Sequence, residues 1–249
     1  MEVARHPSGS GSPAPLIERS LARKVLPTVL SVIAGSVDVI SFVGLGGLFT
    51  AHITGNLVIL AAHVVSGGDA PLAVILSVPV FMVMLALTKL LVAGFEAIDL
   101  ASLRPLLLLQ FLFLAGFLVL CVAAGPHIDP KAANAILAGM LGVSAMAVQN
   151  ALPQISLTGA PSTAVMTTNV TRFMLDVGEV LLGRDPDEVA KARSRAKNTW
   201  PPIVGFTVGC GVGAACEAAV GLWSLALPAG LALLAVAMGF AVKLDGGER

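Results

Sequence analysis

Residues 44–56 read GLGGLFTAHITGN, a cluster of glycines followed by threonine, histidine and asparagine within an apolar part of the chain. Glycine permits backbone conformations that break a helix, and a helix that begins inside a membrane presents N–H groups and the positive end of its dipole. Irregular backbone at that depth is tolerated only where it is buried in protein or lines a water-filled cavity. The stretch therefore predicts a broken polar element beside a cavity. The alternative is a tight turn outside the membrane, with Thr50 as the N-cap of an ordinary helix.

The composition of the chain favours a bilayer as its solvent. Of 249 residues, 56% are hydrophobic and 12% are charged, whereas soluble domains carry about 25% charged residues. Fifteen basic and fifteen acidic residues cancel, so no global field would attract nucleic acid. We expect the lipid bilayer to surround the protein, and we expect no nucleic-acid partner.

Polar interruptions divide the chain into eight apolar pieces, most of which reach the roughly 20 residues that a membrane-spanning helix needs. The second piece is short, the sixth is polar, and each begins with threonine and asparagine. The pattern predicts an all-α fold, a polytopic membrane helix bundle of six to eight helices. The pieces cover residues 25–49, 51–65, 71–95, 105–125, 132–152, 163–182, 201–220 and 222–242.

The two halves of the sequence resemble each other. Asp38 lies twelve residues before the segment 50–56, TAHITGN, and Gln149 lies fourteen residues before the segment 163–169, TAVMTTN. Weak internal similarity of this kind is typical of transporters built from two repeats. We expect a first membrane repeat over 25–125 and a second over 130–242, each with one short polar helix. The alternative is a chance likeness between apolar helices that contain threonine.

Positive charge predicts the orientation of the chain. Lysine and arginine near helix ends mark the cytoplasmic side, and they cluster just before the first apolar piece and in a predicted loop, 183–199. This loop and flexible tails at 1–24 and 243–249 should therefore be cytoplasmic. Two models remain open: eight crossings with parallel repeats, or six crossings with inverted repeats whose second and sixth pieces enter and return on one side.

Polar side chains in and near the two unusual pieces are the candidates for binding a solute. Asp38 is the only acidic residue inside the first spanning run, where an ionised group costs several kcal/mol unless it is paired or hydrated. We expect Asp38 to titrate or to pair with Arg172 or His52, and Arg172 also has Asp176 within reach on its own helix. The alternative is that these polar groups only hydrogen-bond neighbouring helices. The predicted substrate or ion contacts are Asp38, His52, Thr54, Asn56, Gln149, Thr168, Asn169 and Arg172.

Other residues favour structural roles. Gly205, Gly209 and Gly213 are spaced four apart, which lets two helices approach closely. Glu217 continues this row, and we expect it to serve as a structural hydrogen-bond acceptor; the alternative is that it lies near an exit. The three cysteines lie singly in apolar runs without a CxxC or Cys/His cluster, so we expect no metal and no cofactor.

The segments 34–38, AGSVD, and 46–56, GGLFTAHITGN, resemble the YoaK family of bacterial integral membrane proteins, a domain of unknown function. The resemblance extends over about residues 25–242, and residues 148–150 and 167–171 match it in the second half. It implies a multi-pass protein of the bacterial inner membrane with a duplicated core. It implies no particular activity.

The first functional hypothesis is a small secondary permease that binds a polar or anionic solute between the repeats. A proton or ion gradient would drive it, because the sequence has no nucleotide-binding motif. The alternative is a non-transporting membrane scaffold or assembly factor in which the polar side chains hold helices together. Because the sequence lacks HExxH and GxSxG motifs, we do not expect an enzyme.

Overall fold

The computed structural model describes residues 14–68, 70–125, 128–157 and 159–241, and it describes side chains from Lys24 onward. Over these ranges the chain is all-α, as predicted. Its helices are α1 (Ala14–Gly44), α2 (Ile53–Ser66), α3 (Leu72–Glu96), α4 (Leu103–Ala124), α5 (Ala133–Ile155), α6 (Met166–Leu182), α7 (Pro186–Val220) and α8 (Ala226–Ala241), with a 3₁₀ turn at Gly221–Leu225 between the last two.

Within the described ranges, five helical stretches are long and apolar enough to cross a membrane. They are Lys24–Gly44, Leu72–Glu96, Leu103–Ala124, Ala133–Ile155 and Pro186–Ala241, the last of which comprises α7, the 3₁₀ turn and α8. At 14 residues, α2 is too short to span a bilayer. The chain is therefore a membrane protein with several spanning helices.

Helices extend into two segments that the sequence assigned to a tail and a loop. α1 begins at Ala14, so residues 14–24 of the predicted tail continue this helix, because they are rich in alanine, leucine and charged helix formers. α7 begins at Pro186, since the Asp185 side chain caps it by accepting the N–H of Asp187 at 2.9 Å and proline suits a first helical position. Residues 1–13 and the predicted tail 243–249 lie outside the described residues.

α1 and α5 form the centre of the bundle and are the most buried of the spanning helices. α7 and α8 pack on α1, whereas α3 and α4 pack on α5. α4 also contacts α8, α2 lies against α3, and α6 lies against α7. Side chains such as Leu30, Ile33, Phe117, Val143 and Met146 are fully buried between these helices.

α1 and α7 are parallel and pack through the predicted row of glycines. An added Cβ on any of these glycines would collide with the backbone of α1, in the pairs Gly205–Thr28, Gly209–Val32 and Gly213–Ser36. Beyond them, the Ser224 hydroxyl donates to Glu217 Oε2 at 3.2 Å, so Glu217 serves as a hydrogen-bond acceptor. The parallel packing places residues 186–199 at the same end of the bundle as Lys24. We call this end the basic end and the opposite end the far end.

α5 runs antiparallel to α1, from the far end to the basic end. In the last third of α5, the Gln149 side chain donates to the Leu30 carbonyl of α1 at 2.8 Å. Towards the far end, Gly139 lies against Leu45 and Leu48. The end of α5 and the segment that follows it therefore lie at the basic end.

α4 begins at the basic end and runs antiparallel to α5. Its N-cap, Ser102, makes a 2.8 Å hydroxyl hydrogen bond with Ser156, directly after α5. Further along, Gln110 donates to Gln149 at 2.7 Å. α3 precedes α4 by a short loop, so it runs from the far end to the basic end.

Of the remaining helices, α8 and α6 end at the basic end and α2 ends at the far end. α8 ends there, where Arg104 at the start of α4 donates to the Gly239 carbonyl at 3.2 Å. α6 forms an antiparallel hairpin with α7, in which Arg195 Nε donates to Asp176 Oδ1 at 2.9 Å. Since α2 leads into the start of α3, α2 ends at the far end, whereas α6 ends at the basic end. Each short helix begins in the interior of the bundle.

Candidate functional site

The chain leaves helical geometry between α1 and α2 and turns back into the bundle. Gly46 and Gly47 have φ angles of +69° and +92°, which glycine adopts without strain. After them, Leu48 and Thr50 have no exposed surface. The N-cap of α2 is His52, so the N-cap role that the alternative gave to Thr50 is wrong.

The buried carboxylate of Asp38 holds this segment in place. Asp38 Oδ1 accepts the backbone N–H of Thr50 at 2.8 Å and of Ala51 at 2.6 Å, and Oδ2 accepts that of His52 at 3.1 Å. The residue is 3% exposed. Because hydrogen bonds to an ionised group are the stronger kind, these three offset the cost of burying the charge.

The imidazole of His52 is oriented by the same carboxylate. Its Nδ1 lies 2.6 Å from Asp38 Oδ2, and because an ionised carboxylate only accepts hydrogen bonds, Nδ1 carries the proton. The ring meets Phe206 of α7 edge-on at a centroid distance of 5.2 Å. Nε2 is left to accept a hydrogen bond or a proton from a ligand.

Two asparagines occupy matching positions seven residues after the backbone groups that they bind. Asn56 accepts the N–H of Phe49 at 3.0 Å, and it donates to the Phe49 carbonyl at 2.7 Å and to Ser77 at 2.8 Å. Asn169 donates to the Ser162 carbonyl at 2.6 Å. Its Oδ1 is buried and has no donor among the described protein groups.

Gln149 holds the segment before α6, as Asp38 holds the segment before α2. Its side-chain amide donates to the Thr163 hydroxyl at 3.1 Å as well as to α1. Its Oε1 accepts from Gln110. Gln149 therefore joins α1, α4, α5 and the start of the second short helix, and it is fully buried.

The starts of α2 and α6 line one cavity of about 460 Å³, and α3 and α5 line its other sides. The segment 51–54 enters from the far end and the segment 164–167 from the basic end. The polar lining residues are His52, Thr54, Asn150, Gln154 and Thr167. Asn150 and Gln154, both on α5, were not among the predicted contacts, although their spacing of four places them on one helical face.

The candidate residues take different positions around this cavity. His52 and Thr54 line it, and Asp38 orients the His52 ring through the hydrogen bond at Nδ1. Asn56, Gln149 and Asn169 are buried in the frame that holds the two helix starts. Thr168 is exposed and lies outside the cavity lining, which takes its neighbour Thr167 instead.

Arg172 pairs with neither carboxylate that the sequence offered. Asp38 is occupied by the start of α2 and by His52, so of its two proposed partners His52 is the one observed. Asp176 pairs with Arg195 Nη2 at 2.7 Å, because the register of the α6–α7 hairpin places these residues opposite each other. Arg172 lines a separate cavity of about 480 Å³ together with Asn169 and Asp176.

No three His, Cys, Asp or Glu side chains of the described residues come together as a metal site requires. A family model described as "Protein of unknown function (DUF1275)" matches residues 26–238, and the chain belongs to this family. No curated protein and no solved structure matches the chain significantly. The expected membership in a family of unknown function is thus confirmed, while the YoaK name stays an expectation.

Proposed function

We propose that this DUF1275 protein is a small secondary transporter that moves a polar or anionic solute through the cavity between the starts of α2 and α6. One observation carries the proposal. Two segments from opposite halves of the sequence, which enter the bundle from different ends, line the same cavity. A scaffold that used its polar groups only to join helices would have no need of this space.

The packing of the helices supports two inverted repeats, over 25–125 and 130–242. In these repeats α1 corresponds to α5, α2 to α6, α3 to α7 and α4 to α8. When each helix is replaced by its counterpart, the α1–α7 contact becomes α5–α3, α2–α3 becomes α6–α7, and α4–α5 becomes α8–α1, and all of these contacts are present. The α4–α8 contact converts into itself. Because α1 and α5 run in opposite directions, the repeats are inverted, as in many transporters.

Six crossings follow from this arrangement. α2 and α6 are then re-entrant helices that begin at mid-depth and leave on the side from which their segments came. The basic end is cytoplasmic by the positive-inside rule, in the bacterial inner membrane that the family resemblance implies. The loop 97–102 lies on that same side, as the six-crossing model requires.

The two helix starts differ in charge. The positive end of α2 faces the carboxylate of Asp38, whereas neutral Gln149 occupies the corresponding position beside α6. The start of α6 therefore keeps more of its positive potential. We expect the anionic or most electron-rich group of the solute to point towards Thr167, and a cavity of about 460 Å³ suits a small molecule.

His52 is the group that we assign to proton coupling. A proton from the cavity would bind Nε2, and the imidazolium would be stabilised by Asp38 at Nδ1. At Nε2, a solute bound in the cavity would meet a hydrogen-bond acceptor when His52 is neutral and a donor when His52 is protonated. We assign the protein no enzymatic activity and no bound cofactor.

The test is uptake into proteoliposomes of a panel of small polar and anionic solutes, with and without a pH gradient. We expect at least one solute to accumulate, and we expect His52→Ala to lower its uptake by tenfold or more. The matched control is His63→Ala on the same helix, since His63 Nδ1 bonds only the Ile59 carbonyl at 2.9 Å. If no solute moves, the transporter proposal is wrong and the scaffold is favoured. If a solute moves and His52→Ala transports it like the original protein, the role assigned to His52 is wrong.

A further inference from the structure

A second large cavity lies at the basic end, between the starts of the apolar parts of α1 and α7. Its volume is about 750 Å³, and the segment 159–161 before α6 closes its third side. It shares no lining residue with the cavity proposed for solute. Nothing in the proposed transport mechanism uses it.

The chemistry of this cavity is amphipathic. Lys24 of α1 and Lys197 of α7 bring two positive charges to it, and Asn198 adds an amide. None of the described residues that line it is acidic. The rest of the wall is largely apolar and includes Val25 and Trp200.

Its position matches the membrane–water interface. Lys24 directly precedes the apolar run of α1, and Trp200 stands where the polar part of α7 gives way to its apolar part. Tryptophan and lysine concentrate at this level of a membrane, the ring among headgroups and the ammonium in the polar layer. A soluble anion would use the lysines alone, whereas a phospholipid uses both the lysines and the apolar wall.

We propose that this cavity binds an anionic phospholipid, with its phosphate between Lys24 and Lys197 and its acyl chains along Val25 and Trp200. Basic pockets between membrane helices on the cytoplasmic side are suited to such headgroups. The bound lipid would brace the segment 159–161, which leads into the start of α6. The proposal does not depend on transport, so lipid binding can be confirmed or refuted whatever the outcome of the uptake test.

Tryptophan fluorescence tests the proposal at one site. The chain has two tryptophans and no tyrosine, so Trp223→Phe leaves Trp200 as the reporter of the cavity. The matched variant Trp200→Phe leaves Trp223, which follows Gly221 at the far end. Both are reconstituted in phosphatidylcholine vesicles containing a fixed share of brominated phosphatidylglycerol or brominated phosphatidylcholine.

We expect brominated phosphatidylglycerol to quench Trp200 at least twofold more than brominated phosphatidylcholine does. For Trp223 we expect the two brominated lipids to quench equally. Replacing both lysines, Lys24→Gln with Lys197→Gln, should abolish the preference, whereas Lys191→Gln should keep it because Lys191 pairs with Glu188 at the surface. Inorganic phosphate at millimolar concentration should not relieve the quenching. Equal quenching by both lipids, a preference that survives the double variant, or displacement by free phosphate would each overturn the proposal.

Discussion

The carboxylate of Asp38 acts on α2 as a capping side chain acts on a helix in water, but from a different helix and inside the bundle. It satisfies three successive N–H groups just before α2, which lie outside the hydrogen-bonding pattern of that helix. Asn56 then closes the same segment by binding both backbone groups of Phe49. The broken element is held by these two residues, one before the break and one after it.

Asp38→Asn should destabilise the protein by about 2–4 kcal/mol. Asparagine retains one acceptor oxygen, but its NH₂ group would take the place of Oδ2. A hydrogen-bond donor would then face two other donors, the backbone N–H and the Nδ1–H of His52. Chemical unfolding in detergent measures the loss. Ser31→Ala is the control, because Ser31 bonds only the Pro27 carbonyl of its own helix. An unfolding curve for Asp38→Asn equal to that of the control would contradict the capping role.

Asn56→Ala should cost more stability than Asn169→Ala, although both residues are buried at matching positions. Asn56 makes three hydrogen bonds to nitrogen and oxygen atoms, whereas Asn169 makes one and adds a weak contact with the Met166 sulphur. With about 1 kcal/mol for each bond, the difference should be about 2 kcal/mol. Paired thermal unfolding of the two variants measures it, and equal losses would contradict the assignment.

At the scale of elements, the parallel contact between α1 and α7 depends on the absence of side chains. A Cβ at Gly213 would lie 2.8 Å from Ser36 Cα, whereas a Cβ at Gly211 would meet nothing within 4 Å. Gly213→Ala should therefore destabilise the protein by about 1–3 kcal/mol. Gly211→Ala should be neutral or slightly stabilising, because alanine is the better helix former. The melting temperatures of both variants check this, and a harmless Gly213→Ala would show that the two helices separate easily.

The sequence predicted the elements well because their length and hydropathy are local properties. The run of glycines predicted the break before α2, and the spacing of the glycines in α7 predicted a close contact. Pairing across space was harder: the partner of Asp176 depends on the register of the α6–α7 hairpin, which no local pattern encodes. Thr167 lines the cavity in place of the predicted Thr168. A shift of one residue turns a side chain by about 100° around a helix, and the sequence alone does not fix which residue faces the cavity. The helical start of α7 was not predicted, because the many charged residues of 186–199 favoured a loop more strongly than the Asp185 N-cap favoured a helix.

At the scale of the molecule, two helix starts of opposite direction face one cavity. In the proposed transporter, the positive start of α6 would disfavour free passage of cations and protons, whereas the carboxylate of Asp38 offsets the positive start of α2. A proton would then have to cross by binding a side chain, which is the role proposed for His52. The anchoring residues keep both starts fixed, so transport would move the surrounding helices rather than the site.

The six-crossing arrangement predicts which loops share a side. In a variant without its native cysteines, Ala101→Cys and Ser194→Cys should react with a membrane-impermeant thiol reagent from the same side, because both lie at the basic end. Gly68→Cys should react from the opposite side, since α2 ends at the far end. Labelling in right-side-out and inverted vesicles separates the two sides. Reaction of Gly68→Cys from the same side as Ser194→Cys, with Ala101→Cys reacting from the other side, would favour eight crossings.

The central claim is that the starts of α2 and α6 meet around a hydrated cavity, and cross-linking in the native membrane tests it most directly. In the same cysteine-free background, Thr54→Cys with Thr167→Cys should be joined by a water-soluble bifunctional thiol reagent about 10 Å long, a reach comparable to the width of a small-molecule cavity. Val64→Cys with Thr167→Cys should not be joined, because ten residues of helix move the first cysteine about 15 Å away. Cross-linking of the first pair alone is the predicted result. A first pair that stays unreacted would contradict the shared, water-filled site.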